Sequence, residues 1–289
     1  MPSLQSLSRW MIAVSVAVTT CSDGGIGTLA ASSAATARLD LRAFEDDART
    51  PPDAPQRALV AEAAPTGDIR IDALLSPYQW SGNVVTYSFY SEQVFGGQYY
   101  GTETGVREVG ETVKQNTRAI LAWYEAVIGL SFVEVAETPT TIGQIRFMFS
   151  DTTAYAYAYY PTSSAMFHLS GDIHLSSAYD RLGDTNGFQH GPGEHGYAIL
   201  IHEIGHALGL KHSFSGSIVL PTEADNSSHT VMSYTFVGRS NATPMPYDVL
   251  ALQYVYGARA SRVTADRYVF TRPDVDQYRV GEQLSVAPS

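Results

Sequence analysis

Between Gly105 and Ile128 the apolar residues Val106, Val109, Val113, Ile120, Leu121, Tyr124, Val127 and Ile128 recur largely at intervals of three and four, the period of a helix that buries one face. Gly129 is placed to stop it, because glycine takes up the left-handed conformation that closes a helix at little cost. Ahead of this helix, Val84 to Tyr90 is rich in β-branched and aromatic residues and is bounded by Gly82-Asn83 and Gly96-Gly97, which predicts a first strand. Phe132 to Val135, Ile145 to Phe149 and Ile173 to Leu175 are further short β-type runs, and Tyr155 to Tyr160 alternates tyrosine with alanine. Residues 181 to 196 carry too many chain-breaking residues to be anything but loop. A second helix is predicted from near Tyr197 to Leu208, ended by Gly209, and a third from Tyr247 to Tyr256 between Pro246 and Gly257, since proline suits a helix start and glycine its end. This order of elements predicts an α+β fold with a mixed sheet packed on helices.

The first residues follow a different pattern. Arg9 precedes the short apolar run from Trp10 to Val18, then small and polar residues, which is the layout of a secretory signal rather than of a membrane span. Cys21, directly after Val18-Thr19-Thr20, resembles the acceptor of bacterial lipoprotein signals, so a lipid anchor at Cys21 is an alternative to free secretion. From Ala30 to about Gly67 the chain is rich in Ala, Pro, Asp and Arg, with few large apolar residues, and is read as a linker or propeptide. The expected organisation is therefore a signal over 1–21, a linker or propeptide over 22–73, a catalytic domain over 74–258 and a tail over 259–289.

Composition narrows the function. A chain of 289 residues with 44% hydrophobic and 16% charged residues is globular as a whole, and no later segment is apolar for long enough to make a multi-span membrane protein. The formal net charge of -11 repels phosphate backbones, so nucleic acid is not an expected partner. Cys21 is the single cysteine, which leaves no intramolecular disulfide and no cysteine-based zinc site. Any metal must sit on His, Asp or Glu.

His202-Glu203-Ile204-Gly205-His206 falls inside the second helix, where a spacing of four returns His206 to within about 40° of His202 and roughly 6 Å along the axis. Two imidazoles then face one point, a ligand pair suited to Zn2+. Gly209 can break the helix and turn His212 toward the same point, giving His202, His206 and His212 as three ligands with an open fourth position, the signature of a catalytic rather than a structural zinc. Glu203, on a neighbouring part of the helix surface, is placed to act as general base toward a water molecule. A structural zinc closed by a fourth ligand would have no need of Glu203.

His202 to His212, with its spacing His-Glu-x-x-His-x-x-Gly-x-x-His, resembles the metzincin zinc motif, and Val231-Met232-Ser233-Tyr234 resembles the methionine turn of that clan. Within it the sequence is similar to the serralysin catalytic domain in Pro246 to Gly257, in Gly171-Asp172-Ile173 and in Trp80 with Val85 to Phe89, over about residues 74 to 258. The resemblance implies a zincin fold: a twisted mixed sheet with two helices above a cleft, and a small irregular C-terminal subdomain carrying Met232 and the third helix below it. It implies Met232 as an apolar floor beneath the metal, Tyr234 as a hydroxyl that stabilises the tetrahedral intermediate, and Gly171 to Leu175 as the edge strand to which an extended peptide adds.

The expected function is a secreted or surface-anchored, monomeric zinc endopeptidase acting on protein or peptide substrates in extended conformation. Alternatives are a matrixin-like or astacin-like peptidase of narrower specificity, and a non-catalytic binding protein that keeps the metal for structure. Serralysins usually continue into Gly-Gly-x-Gly-x-Asp repeats, which do not follow Gly257, so calcium is not expected. Ser213 stands where proline often follows the third ligand, and Cys21 is too bound up with the signal to act as a matrixin-type cysteine switch. His168, His174, His190, His195 and His229 are assigned no role.

Overall fold

The computed structural model of the protein describes residues 60–162, 167–260, 268–270 and 278–280. The signal segment with Cys21, and most of the expected linker and tail, lie outside the described residues. The chain enters through β1 (Val60–Glu62), which pairs antiparallel with β2 (Tyr78–Trp80), so part of the stretch read as linker is built into a sheet. The single-turn helix α1 (Ile69–Asp72) lies between them. Its last residue, Asp72, accepts from the Thr66 and Gly67 amides at 2.7 and 2.8 Å and so closes the intervening loop.

The main sheet contains β3 (Val84–Phe89), β4 (Ser131–Glu134), β5 (Ile145–Ser150), β6 (Ala156–Ala158) and β7 (Asp172–Ser176), in the order β4-β3-β5-β7-β6. Four strands run parallel and β6 is antiparallel to β7. This corrects the expectation for Gly171 to Leu175: β7 is an interior strand, paired on both sides, and the edge belongs to β6. The reason is that β7 runs back along β6, with the Tyr159 amide donating to the Asp172 carbonyl and the Gly171 amide to the Tyr159 carbonyl, both at 2.9 Å. Every residue of β5, β6 and β7 is buried, as expected where a sheet is covered on both faces.

Helix α2 (Glu92–Phe95) is a single turn after β3, and α3 (Glu111–Val127) carries the predicted buried stripe at Val113, Thr117, Ile120, Leu121 and Tyr124. It begins six residues later than the periodicity suggests because Arg107 exchanges two backbone hydrogen bonds with Phe149, at 3.0 and 3.1 Å, which keeps that stretch extended. Gly129 is required for another reason than the predicted left-handed stop: a Cβ there would lie 2.2 Å from the Tyr256 carbonyl oxygen. Helix α4 (His195–Ala207) packs across the sheet, and α5 (Pro246–Tyr256) has Pro246 at its start as predicted. Two short antiparallel strands follow, β8 (Tyr268–Phe270) and β9 (Tyr278–Val280). Among the described residues no helix is long and apolar enough to cross a membrane.

Candidate active site

Helix α4 ends where Gly209, at φ 100, turns the chain. A Cβ at this position would lie 2.9 Å from the Tyr78 carbonyl oxygen, so both its conformation and its surroundings call for glycine. The turn is fixed from outside as well: the Trp80 indole N–H donates to the Ala207 carbonyl at 2.8 Å and the Tyr256 hydroxyl to the Leu208 carbonyl at 2.7 Å. Beyond it, the Lys211 ammonium donates to the carbonyls of Ala73, Ser215 and Ile218, pinning the segment that carries His212.

As a result the three histidines converge. The Nε2 of His202 lies 2.9 Å from that of His206 and 3.2 Å from that of His212. The Nδ1 of His202 faces the Val231 carbonyl and that of His206 the Leu210 carbonyl, both at 2.6 Å. Since a carbonyl can only accept, Nδ1 holds the proton in these two rings and Nε2 presents its lone pair inward. Burial also favours the neutral form, pulling His202 down to about 4 and holding His206 and His212 well below the usual histidine range. Three neutral nitrogens this close are a metal-ligand set: with bonds of about 2.0–2.1 Å, tetrahedral zinc needs nitrogens about 3.3 Å apart. Among the described residues this is the one group of three or more His, Cys, Asp or Glu side chains so placed. His168 and His174 do not join such a cluster; His174 is buried between Tyr99 and Tyr157.

Glu203 is 1% exposed, and among the described residues its Oε2 has no hydrogen-bond partner. Burial alone pushes its carboxyl up to about 8, and a cation held by the adjacent histidines would draw it down again. A carboxylate oxygen buried without a partner costs stability, and such strain points to a group it meets in function.

Met232 is fully buried, and its Sδ would lie 2.9 Å from a Cβ on Gly205, so the turn packs directly under α4. The Tyr234 ring lies 4.5 Å from His212 and 5.9 Å from His202. Its hydroxyl is held above the ordinary tyrosine range by burial first and by the Glu203 carboxylate second.

Two residues beyond the predicted set complete the site. Asp248, buried in α5, accepts from the Thr230 hydroxyl at 2.5 Å and from the amides of Val231 and Met245 at 2.9 and 2.8 Å. It thereby holds the Val231 carbonyl that orients His202. An acid two residues after the proline that opens a helix is a capping signal legible in the sequence, but nothing local ties it to His202. Tyr160, just beyond β6, packs edge-on against His206 with ring centres 5.1 Å apart.

A mixed sheet with one antiparallel edge strand, a helix bearing two of three converging histidines, and a buried methionine turn beneath them define a metzincin. The matrixin family profile matches residues 79–257, and the chain belongs to that family. It is also similar to serralysins, in keeping with the resemblance read from the sequence. It is 30% identical to serralysin of Proteus mirabilis over 188 residues, 55% of this chain and 37% of that protein. Identity is 25% over 270 residues to serralysin of Photorhabdus laumondii subsp. laumondii, 78% of this chain and 52% of the relative. Serralysin B of Dickeya chrysanthemi is 28% identical over 219 residues, 65% and 43% of the two chains. The chain thus spans roughly a third to a half of the length of these curated relatives.

Proposed function

We propose that the protein is a zinc-dependent endopeptidase in which His202, His206 and His212 hold the metal and Glu203 is the general base. The observation that carries this reading is the convergence of three Nε2 lone pairs beside a buried, partnerless Glu203 oxygen. When bound, zinc polarises a peptide carbonyl and acidifies the attacking water.

The chain's own groups supply the remainder. Glu203 accepts a proton as the water oxygen adds to the carbonyl carbon, and delivers it to the nitrogen as the C–N bond breaks, leaving a carboxylate and an amine. The Tyr234 hydroxyl donates to the oxygen on which negative charge develops. The protonated phenol is the form its surroundings favour. The edge of β6, unpaired among the described residues, receives the substrate as an added strand. The apolar run after Arg9 supports export, free or anchored through Cys21, and the protein acts as a monomer outside the cytoplasm.

Metal analysis and Glu203→Gln test this together. The variant keeps the shape of the side chain but cannot accept the proton, so it should retain one zinc per chain and lose about 10²- to 10⁴-fold in cleavage of a peptide library. Wild-type activity that survives a strong chelator, or a Glu203→Gln protein that cleaves normally, would overturn the mechanism.

A further inference from the structure

In an antiparallel ladder, the N–H and C=O of one residue point to the same side and successive residues alternate. Tyr159 spends both groups on β7, in bonds of 2.9 Å with Asp172 and Gly171, and the Tyr155 carbonyl accepts from Ser176 at 2.7 Å. The odd-numbered residues therefore face inward, and the main-chain groups of Ala156, Ala158 and Tyr160 face the open edge. Pro161 biases Tyr160 toward an extended backbone, and the amide of Thr162, the next outward position, is spent on the Ser170 hydroxyl at 3.1 Å, so the row of free backbone donors stops at Tyr160.

Side chains alternate as well. Ala156 and Ala158 join the main core, whereas Tyr157 and Tyr159 lie on the other face against His174. Tyr160 continues the alanine face, which brings its ring to His206 with planes at 87°. Among the described residues its hydroxyl has no hydrogen-bond partner. A phenol O–H is a donor, so this hydroxyl is available to a carbonyl oxygen. Tyr234 approaches the triad from the methionine turn, and Tyr160 approaches it from the strand that takes the substrate.

We propose that Tyr160 is a further substrate-binding residue, whose hydroxyl donates to a main-chain carbonyl oxygen of the peptide added to β6, where the strand's own amides run out. This rests on the endopeptidase reading and deepens it. The bond forms with the bound peptide and persists through the reaction, so its contribution belongs to KM rather than to kcat.

The test uses the full-length, zinc-loaded protein and a peptide that the wild type cleaves. In the Glu203→Gln background, which holds the peptide uncleaved, adding Tyr160→Phe should weaken peptide binding roughly fivefold, the size of one neutral hydrogen bond. Zinc affinity, measured by chelator competition, should not change. In the active protein, Tyr160→Phe should raise KM by a similar factor at constant kcat. Tyr160→Leu removes the ring from His206 as well and should add a loss of zinc affinity that Tyr160→Phe lacks, separating packing from hydrogen bonding. Unchanged peptide binding by Tyr160→Phe, or a zinc-affinity loss equal to the peptide loss, overturns the proposal. A wild type that neither binds zinc nor cleaves peptides would instead overturn the endopeptidase reading itself.

Discussion

Asp248→Asn should leave the protein nearly as stable as the wild type at neutral pH, while Asp248→Ala should cost about 2–4 kcal/mol. The difference follows from which oxygen does what. Both backbone donors, the Val231 and Met245 amides, reach Oδ2, and only the Thr230 hydroxyl reaches Oδ1. An asparagine with its oxygen in the Oδ2 position keeps both amide bonds and turns its NH2 toward the Thr230 oxygen. What it loses is an acceptor for the Thr230 hydroxyl proton, about 1–3 kcal/mol. What it gains is relief from a buried charge: burial pushes Asp248 from 3.8 to about 6, a cost of about 3 kcal/mol at neutral pH. The two nearly cancel. Alanine keeps the relief but leaves two amides and a hydroxyl without acceptors.

The sign of the pH effect follows from the raised value. The folded state binds the Asp248 proton more tightly than the unfolded chain, so this residue's contribution to stability falls as pH rises from about 4 to about 6 and stays low above that. In Asp248→Asn that slope is absent. Urea unfolding at equal zinc, followed by tryptophan fluorescence from about pH 4 to pH 7, should show the stability of wild type minus variant falling by about 3 kcal/mol. If asparagine is as damaging as alanine at neutral pH, the assignment of the two carboxylate oxygens is wrong, and if the difference does not vary with pH, burial does not raise Asp248.

Two further outcomes are expected. Tyr234→Phe should lower kcat and kcat/KM together by about 10²- to 10³-fold at constant KM and zinc content; a rise in KM at constant kcat would move this tyrosine into a substrate pocket. Gly209→Ala forces a Cβ toward the Tyr78 carbonyl at φ 100, so it should lower stability by about 1–3 kcal/mol and weaken zinc binding through His212. Thermal unfolding and a zinc titration check both, and a variant that matches the wild type in each would show that the turn does not position the ligand.

The sequence by itself determined what depends on local spacing. The one-face stripe of α3, the glycine after α4 and the four-residue separation of His202 and His206 are set by helical geometry, and each reads directly from residue order. The adjacency of Glu203 and His202 within one motif is legible for the same reason. The tertiary structure alone decided what depends on strand pairing and on contacts distant in sequence. Gly171 to Leu175 carries the apolar signature of a strand, but whether it lies inside the sheet or at its edge depends on the pairing of β6 along it, which has no period of its own. Gly129 reads as a helix stop, yet its need comes from the close approach of Tyr256. Asp248 reaches His202 only through Val231, and Tyr160 reaches His206 only because β6 lies across α4. Such contacts form when separate elements dock, and their energy comes from burial rather than from sequence proximity.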